Sequence, residues 1–316
     1  MFGEWYRGSL SKIELTLRLP YLVLFAFGIL IIKVIPRLLV FSILIWLLTR
    51  NIPISIFSGF ILTLILEMFT LRGSYEKSIL PKHLKNLEIV EGFYKTQNQS
   101  TNKVLAGNIE RATKLSAWGC VNIAYIALPS WGWEIVFRIA FPLLVKNPKF
   151  IYHDLLIGFP NKSTEADELL WKVAQEGVSA KHSLLLDKYM HDFGGRISDA
   201  DLGKPTLREQ VGAIKSLILL YKNTDSPEAR RKLTAEKREK TTKEVLNQLR
   251  VPKSLFLWLL SLVQRNVALR EDRKYYEFVP DYYIRQMLIE LGSRIGINKN
   301  DIFNKSWVEI KRNADV

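Results

Sequence analysis

The chain has 316 residues, of which 48% are apolar, and its 45 lysines and arginines outnumber 31 aspartates and glutamates to give a formal net charge of +14. That length allows one large domain or two ordinary ones, and the single cysteine, Cys120, excludes an internal disulfide framework. The positive surplus calls for an anionic partner; without zinc-finger spacing, an RNP-like aromatic motif or a Gly-Xaa-Xaa-Gly clamp, nucleic acid is disfavoured and anionic lipid headgroups are the expected partner.

The apolar residues are concentrated between Leu15 and Leu71, a stretch interrupted by charge only at Arg18, Lys33, Arg37, Arg50 and Glu67. An amphipathic helix of a soluble domain has one polar face, and this stretch leaves none. Leu15 to Ile35 and Ile52 to Leu71 each reach the roughly 20 residues needed to cross a bilayer. Leu38 to Leu48 is too short to cross alone and reads as an interfacial or re-entrant piece, a buried segment, or half of a helix broken near Asn51-Ile52-Pro53. Two or three membrane helices are therefore expected, against the alternative of a hydrophobic hairpin covered by a partner subunit. Basic residues flank the block on both sides, at Arg7, Lys12 and Arg18 and at Arg72, Lys77, Lys82 and Lys85. By the positive-inside rule both flanks face the cytoplasm, so the expected location is the membrane with a cytoplasmic C-terminal domain.

After Tyr75 the periodicity is helical almost throughout, which makes the fold class all-α. Asn86 to Gly107 combines a short helical pattern with the polar loop KTQNQSTNK, and Asn108 to Leu128 reads as a helix. Ala127 to Pro148 is apolar enough to resemble a further span, but Glu134, Arg138 and Pro142 make it a buried or membrane-surface helix. Pro160 to Glu165 is a turn followed by a helix start in which Ser163 or Thr164 caps. A helix from Ser179 should end at the pair Gly194-Gly195. The run from Lys222 to Val251 is dense in both signs of charge and reads as a solvated helix. Ser254 to Ile295 is a last helical block, followed by the capped short helix in GINKNDIFNKSWVEI. These divisions give an anchoring region at 1–74, a helical connector at 75–150 and a helical domain at 151–316 with a charged connector near 222–253.

Several familiar strings fail on their context. Asp192-Phe193-Gly194 matches a kinase magnesium motif, yet the Gly-rich loop, strand lysine and catalytic loop that motif requires are not in the sequence. Gly158 to Ser163 lacks the second glycine of a P-loop. His182 and His191 lie nine residues apart on opposed faces of a helix, so they do not form a metal pair. No cofactor is expected.

Three blocks in order carry a resemblance: Asp154 to Gly177 (DLLIGFPNKSTEADELLWKVAQEG), Asp187 to Gln210 (DKYMHDFGGRISDADLGKPTLREQ) and Asn266 to Ile310. Together they resemble the helical middle region of the rifampicin phosphotransferase and phosphoenolpyruvate synthase-like phosphotransferases. In that family an ATP-grasp domain and a swivelling domain with a phospho-histidine complete the enzyme. The sequence before these blocks does not look like an ATP-grasp domain, and Val316 follows shortly after the point where the swivelling domain would begin. The resemblance therefore implies a substrate-binding or scaffolding module that does not catalyse the reaction alone; it would bind a substrate or act as one subunit of a split enzyme whose ATP-grasp and phospho-histidine domains lie on other chains.

On the residues matching the family pattern, Arg196, Asp201, Arg208, Glu209, Arg270, Glu271 and Tyr276 are the site candidates. They are read either as an ion-pair network holding a long loop or as groups that bind an anionic or polyketide-like ligand. Gly195 stands where the family turn usually has a histidine. Two other readings of the whole chain are an integral-membrane enzyme acting on a lipid or isoprenoid, and a basic membrane-surface adaptor.

Overall fold

The computed structural model describes residues 11–125, 127–146, 152–176, 184–195 and 201–314. Among them there is no β-strand, and the all-α expectation is met; extended pairing is confined to a one-residue antiparallel bridge between Val145 and Leu249. The chain forms two compact units that are discontinuous in sequence. One comprises 1–126, 197–205 and 277–316, and the other 127–196 and 206–276.

The first unit is built on helix α1, Glu14–Thr49, whose 36 residues make it about 54 Å long at ~1.5 Å per residue. Here the expectation of a first span ending at Ile35 is corrected, because the helix runs on to Thr49, while the expected second span, Ile52 to Leu71, lies within the single helix α2 (Ile52–Ser74). Leu38 to Leu48 is the second half of α1, which among the described residues is long and apolar enough to cross a membrane. Continuity through Pro36 has a local cause. A wider π-helical turn, Leu30–Val34, directly precedes it, relieving the clash a proline ring makes with the turn before. The same arrangement recurs before Pro20 (Glu14–Arg18) and before Pro81 (Tyr75–Ile79), which begins α3, Leu80–Lys95.

The break predicted near Asn51 is present. Arg50 ends α1 in the left-handed region at φ 54°, and the Asn51 side chain accepts the N–H of Ile54 at 3.1 Å to start α2. The hairpin closes tightly at Gly59, where a Cβ would lie 2.8 Å from the Ser42 backbone nitrogen. Arg37 and Glu67 form an ion pair within it.

Among the described residues, burial at this helix is confined to its start: Ile13, Glu14, Leu17 and Arg18 sit in the core of this unit, whereas side chains from Val23 to Leu48 are largely exposed. That core also draws on α4 (Asn102–Tyr125), the second part of α10 (Lys253–Arg294) and α11 (Trp307–Ala314). Ser11 caps α1 through the Glu14 N–H, and is itself held by Asp201, which accepts from the Ser11 N–H at 3.0 Å and hydroxyl at 2.6 Å. Inside the core Arg18 donates to Asp281 at 2.8 Å and lies 3.6 Å from Glu14, and the Ser116 hydroxyl donates to Asp281 at 3.2 Å. The predicted terminal capped helix is α11, where Ser306 and Glu309 cap each other reciprocally after Gly296 turns the chain at φ 73°.

The second unit contains α5 (Ala127–Leu144), α6 (Lys162–Glu176), α7 (Leu184–Phe193), α8 (Val211–Lys222), α9 (Pro227–Leu246) and the first part of α10. Its best-defined core joins α6, α7 and α8 through Ala166, Leu169, Leu170, Tyr189, Phe193 and Ile214. The i, i+3, i+4 spacing of Ala166, Leu169 and Leu170 gives α6 its buried stripe. The charged run becomes α9, a largely solvated helix capped by Ser226.

Candidate functional site

The end of α7 settles the DFG string. Phe193 is 1% exposed and packs between Tyr189 and Tyr275, and Gly194 allows the chain to leave the helix by donating its N–H to the Met190 carbonyl. Asp192 pairs instead with Lys188 at 3.2 Å and His191 at 2.8 Å. Burial raises its pKa somewhat, but hydrogen bonds from His191 and Lys188 outweigh that and leave it lowered. This is a surface ion pair at a helix end.

The concave surface of the second unit lies elsewhere, around the start of α6. Asn161 and Thr164 cap that helix reciprocally: the Asn161 side chain accepts the Thr164 N–H at 2.9 Å, and Thr164 Oγ1 accepts the Asn161 N–H at 3.0 Å. The expected cap at Ser163 or Thr164 is thus shifted, with Asn161 at the cap and Thr164 completing it three residues on. Asp272 of α10 accepts the Lys162 N–H at 2.7 Å. A protein carboxylate therefore occupies the place at this helix end where an external anion would be favoured.

Two adjoining hollows, of about 340 and 370 Å³, share Asn161, Thr164 and Arg231 in their walls. One is polar, bounded by Lys162, Glu165, Glu168 and Asp272. The other runs under Gly158 and Phe159 toward Arg230, Thr234 and Val267. Gly158 makes the second possible. Its φ is 76° and a Cβ would sit 2.9 Å from the Ala235 backbone nitrogen, so the chain passes close against α9 only as glycine. Arg238 fixes the same loop, donating to the Ile157 carbonyl at 2.8 Å and lying 4.1 Å over the Phe159 ring.

Charge in the hollows is balanced. Arg231 pairs with Glu168 at 3.0 Å and Lys162 with Glu165 at 2.7 Å. Burial alone would lower the Lys162 pKa, but Glu165 outweighs it and the ammonium is held above its ordinary value. Tyr276 is raised, first by burial and then by Asp272 and Glu165, against the opposing pull of Lys162. The arrangement lines the hollows with fixed donors and acceptors of both charge signs.

Of the residues expected from sequence that are described, Tyr276 interacts with this cleft, through Lys162. Asp201 belongs to the first unit and holds the start of α1. Arg208 donates twice to the Met190 carbonyl, at 3.2 and 2.5 Å, and closes the C-terminal end of α7. Glu209 accepts from the Thr206 N–H and hydroxyl in a capping box around the turn Leu207–Glu209. Arg270 pairs with Glu134 of α5 at 2.7 Å. Arg196, the Glu271 side chain and His182 lie outside the described residues. Sequence reasoning missed Asn161, Lys162 and Asp272; the signal was the PNKST turn, whose partner Asp272 lies over a hundred residues away.

Residues 161–271 match the family described as the rifampicin phosphotransferase fourth domain. No curated protein and no solved structure matches the chain at a significant level. The match takes in the first of the three resembling blocks from Asn161 onward and the second whole but ends shortly after the third begins, so most of Asn266 to Ile310 lies beyond it. The matched stretch includes the start of α6, the DFG turn and all of α9, and over these residues the chain is similar to the rifampicin phosphotransferase fourth domain.

Proposed function

We propose that this protein is a membrane-anchored, non-catalytic module that presents a phosphotransferase-type helical domain, binding a substrate or scaffolding the separate ATP-grasp and phospho-histidine chains of a split enzyme. The observation that carries the reading is the pairing of that domain, over 161–271, with α1, whose most apolar stretch has none of its residues buried within the chain. A core helix of a soluble domain would bury that stretch. A cleaved leader is disfavoured, because the same helix begins inside the core, with Arg18 bound to Asp281 and Ser11 to Asp201. The non-catalytic part rests on the matched domain being one of several in that family, and on the cleft's charges being engaged with one another. A cytoplasmic C-terminal domain is part of this proposal: basic residues on both flanks of the apolar block favour it, with α2 returning the chain to the side on which α1 begins.

The test is affinity purification of the full chain from detergent extract, followed by assay of the eluate for ATP-dependent phosphoryl transfer. Recovery of ATP-grasp and phospho-histidine proteins, with transfer absent from the isolated chain, is the expected result. A chain that purifies alone and binds no small molecule overturns the split-enzyme reading.

A further inference from the structure

Helix α5 of the second unit has an apolar face that the described residues leave exposed. Its inward side is filled by Trp133, Phe137 and Phe141, while Ile135, Ile139 and Leu143, spaced four apart, point outward, the last two 65% and 70% exposed. The start of α10 runs beside it, tied by the Val145–Leu249 bridge and by the Phe137–Phe256 and Trp133–Trp258 ring contacts, and adds the exposed Leu255 and Trp258.

Charge on these segments is predominantly positive. Arg138, Lys146, Arg250 and Lys253 are exposed. The stretch from Leu249 to Arg265 contains no acidic residue, and the one acid between Ala127 and Lys146, Glu134, is taken up by Arg270. Exposed aliphatic side chains with a tryptophan and a rim of arginine and lysine are the chemistry of a helix lying in the headgroup region of an anionic bilayer. A protein partner would more commonly meet an apolar patch depleted of lysine.

We infer that α5 and the start of α10 form a second membrane contact, an in-plane face that rests on anionic lipid. This deepens the anchoring proposed above by giving the phosphotransferase-like unit its own lipid contact, and it can fail or hold independently of α1.

The test uses the full chain with one added cysteine carrying an environment-sensitive fluorophore, Cys120 being buried. Labels at Ile139→Cys and Leu143→Cys are compared with Leu233→Cys on α9, 66% exposed, and Leu39→Cys on α1. In vesicles of phosphatidylcholine with phosphatidylglycerol, the labels at 139 and 143 should shift to shorter wavelength and be quenched by a lipid-borne quencher, while the label at 233 is not. Combined reversal, Arg138→Glu, Lys146→Glu, Arg250→Glu and Lys253→Glu, should abolish quenching at 139 and leave the label at 39 unchanged. If the label at 139 is as water-exposed as that at 233 in anionic vesicles, the inference is wrong. Equal protection in detergent and in vesicles of phosphatidylcholine alone also overturns it, in favour of a protein contact. Quenching at 139 without quenching at 39 upholds it and removes the α1 anchor instead.

Discussion

Replacing Arg18 by methionine removes a single cation from a core that holds two carboxylates. Arg18 is 1% exposed and Asp281 and Glu14 are fully buried, so nothing from solvent can replace it. Removing one partner of a buried pair costs about 3–5 kcal/mol, because the remaining charge is stranded. For a unit of this size that is an apparent Tm loss of roughly 6–20 °C, at about 2–4 °C per kcal/mol. The second substitution supplies the control: Arg18→Met with Asp281→Asn leaves Glu14 as the lone acid and should recover at least half of the loss. Acidity supplies another. Burial raises the Asp281 carboxyl, with Arg18 and the Ser116 hydroxyl pulling it back. An acid raised on folding binds its proton more tightly in the folded state, so its contribution to stability falls as pH rises through the raised value. With Arg18 gone that opposition is lost, and the defect should deepen from acid to neutral pH. Thermal melts in detergent, followed by far-ultraviolet circular dichroism, measure all three arms. A single variant losing less than about 1 kcal/mol, or a double variant no better than the single, refutes the reasoning.

Phe193→Ala should cost about 3–5 kcal/mol in the second unit, whereas Asp192→Ala should cost less than about 1, since one empties a core position and the other breaks a surface pair; chemical denaturation of the two variants separates a packing turn from a metal motif. Gly158→Ala puts a Cβ against the Ala235 backbone at a positive φ and should cost about 1–3 kcal/mol, with faster amide exchange around the loop and the start of α6. In the hairpin, Gly59→Ala crowds the Ser42 backbone and should lower stability by about 1–3 kcal/mol, measured as the detergent melting shift.

Much of the fold was legible because it rests on local chemistry. The break at Asn51, the glycine stop after Phe193 and the Ser306–Glu309 capping box are each written within a few residues. The length of α1 was not. Pro36 reads as a boundary, and the π-turn that carries the helix through it appears only once the backbone is built. Asp201 was picked out on family grounds as a loop or ligand residue, but its partner Ser11 is 190 positions away, a separation no pattern records. The cleft was obscured for the same reason: Lys162 and Asp272 meet across two distant segments, and neither is unusual in its own surroundings. Tyr276 was reached by resemblance, and the contribution of Lys162 to its titration is the physical content that resemblance lacked.

The proposal above has α1 holding this chain at a membrane. Alkaline carbonate fractionation of cells expressing the full chain tests it most directly, since high pH strips proteins bound by charge and leaves those inserted through an apolar helix such as α1. The account predicts that the chain stays in the membrane pellet and is released by detergent alone; complete release into the alkaline supernatant would contradict it.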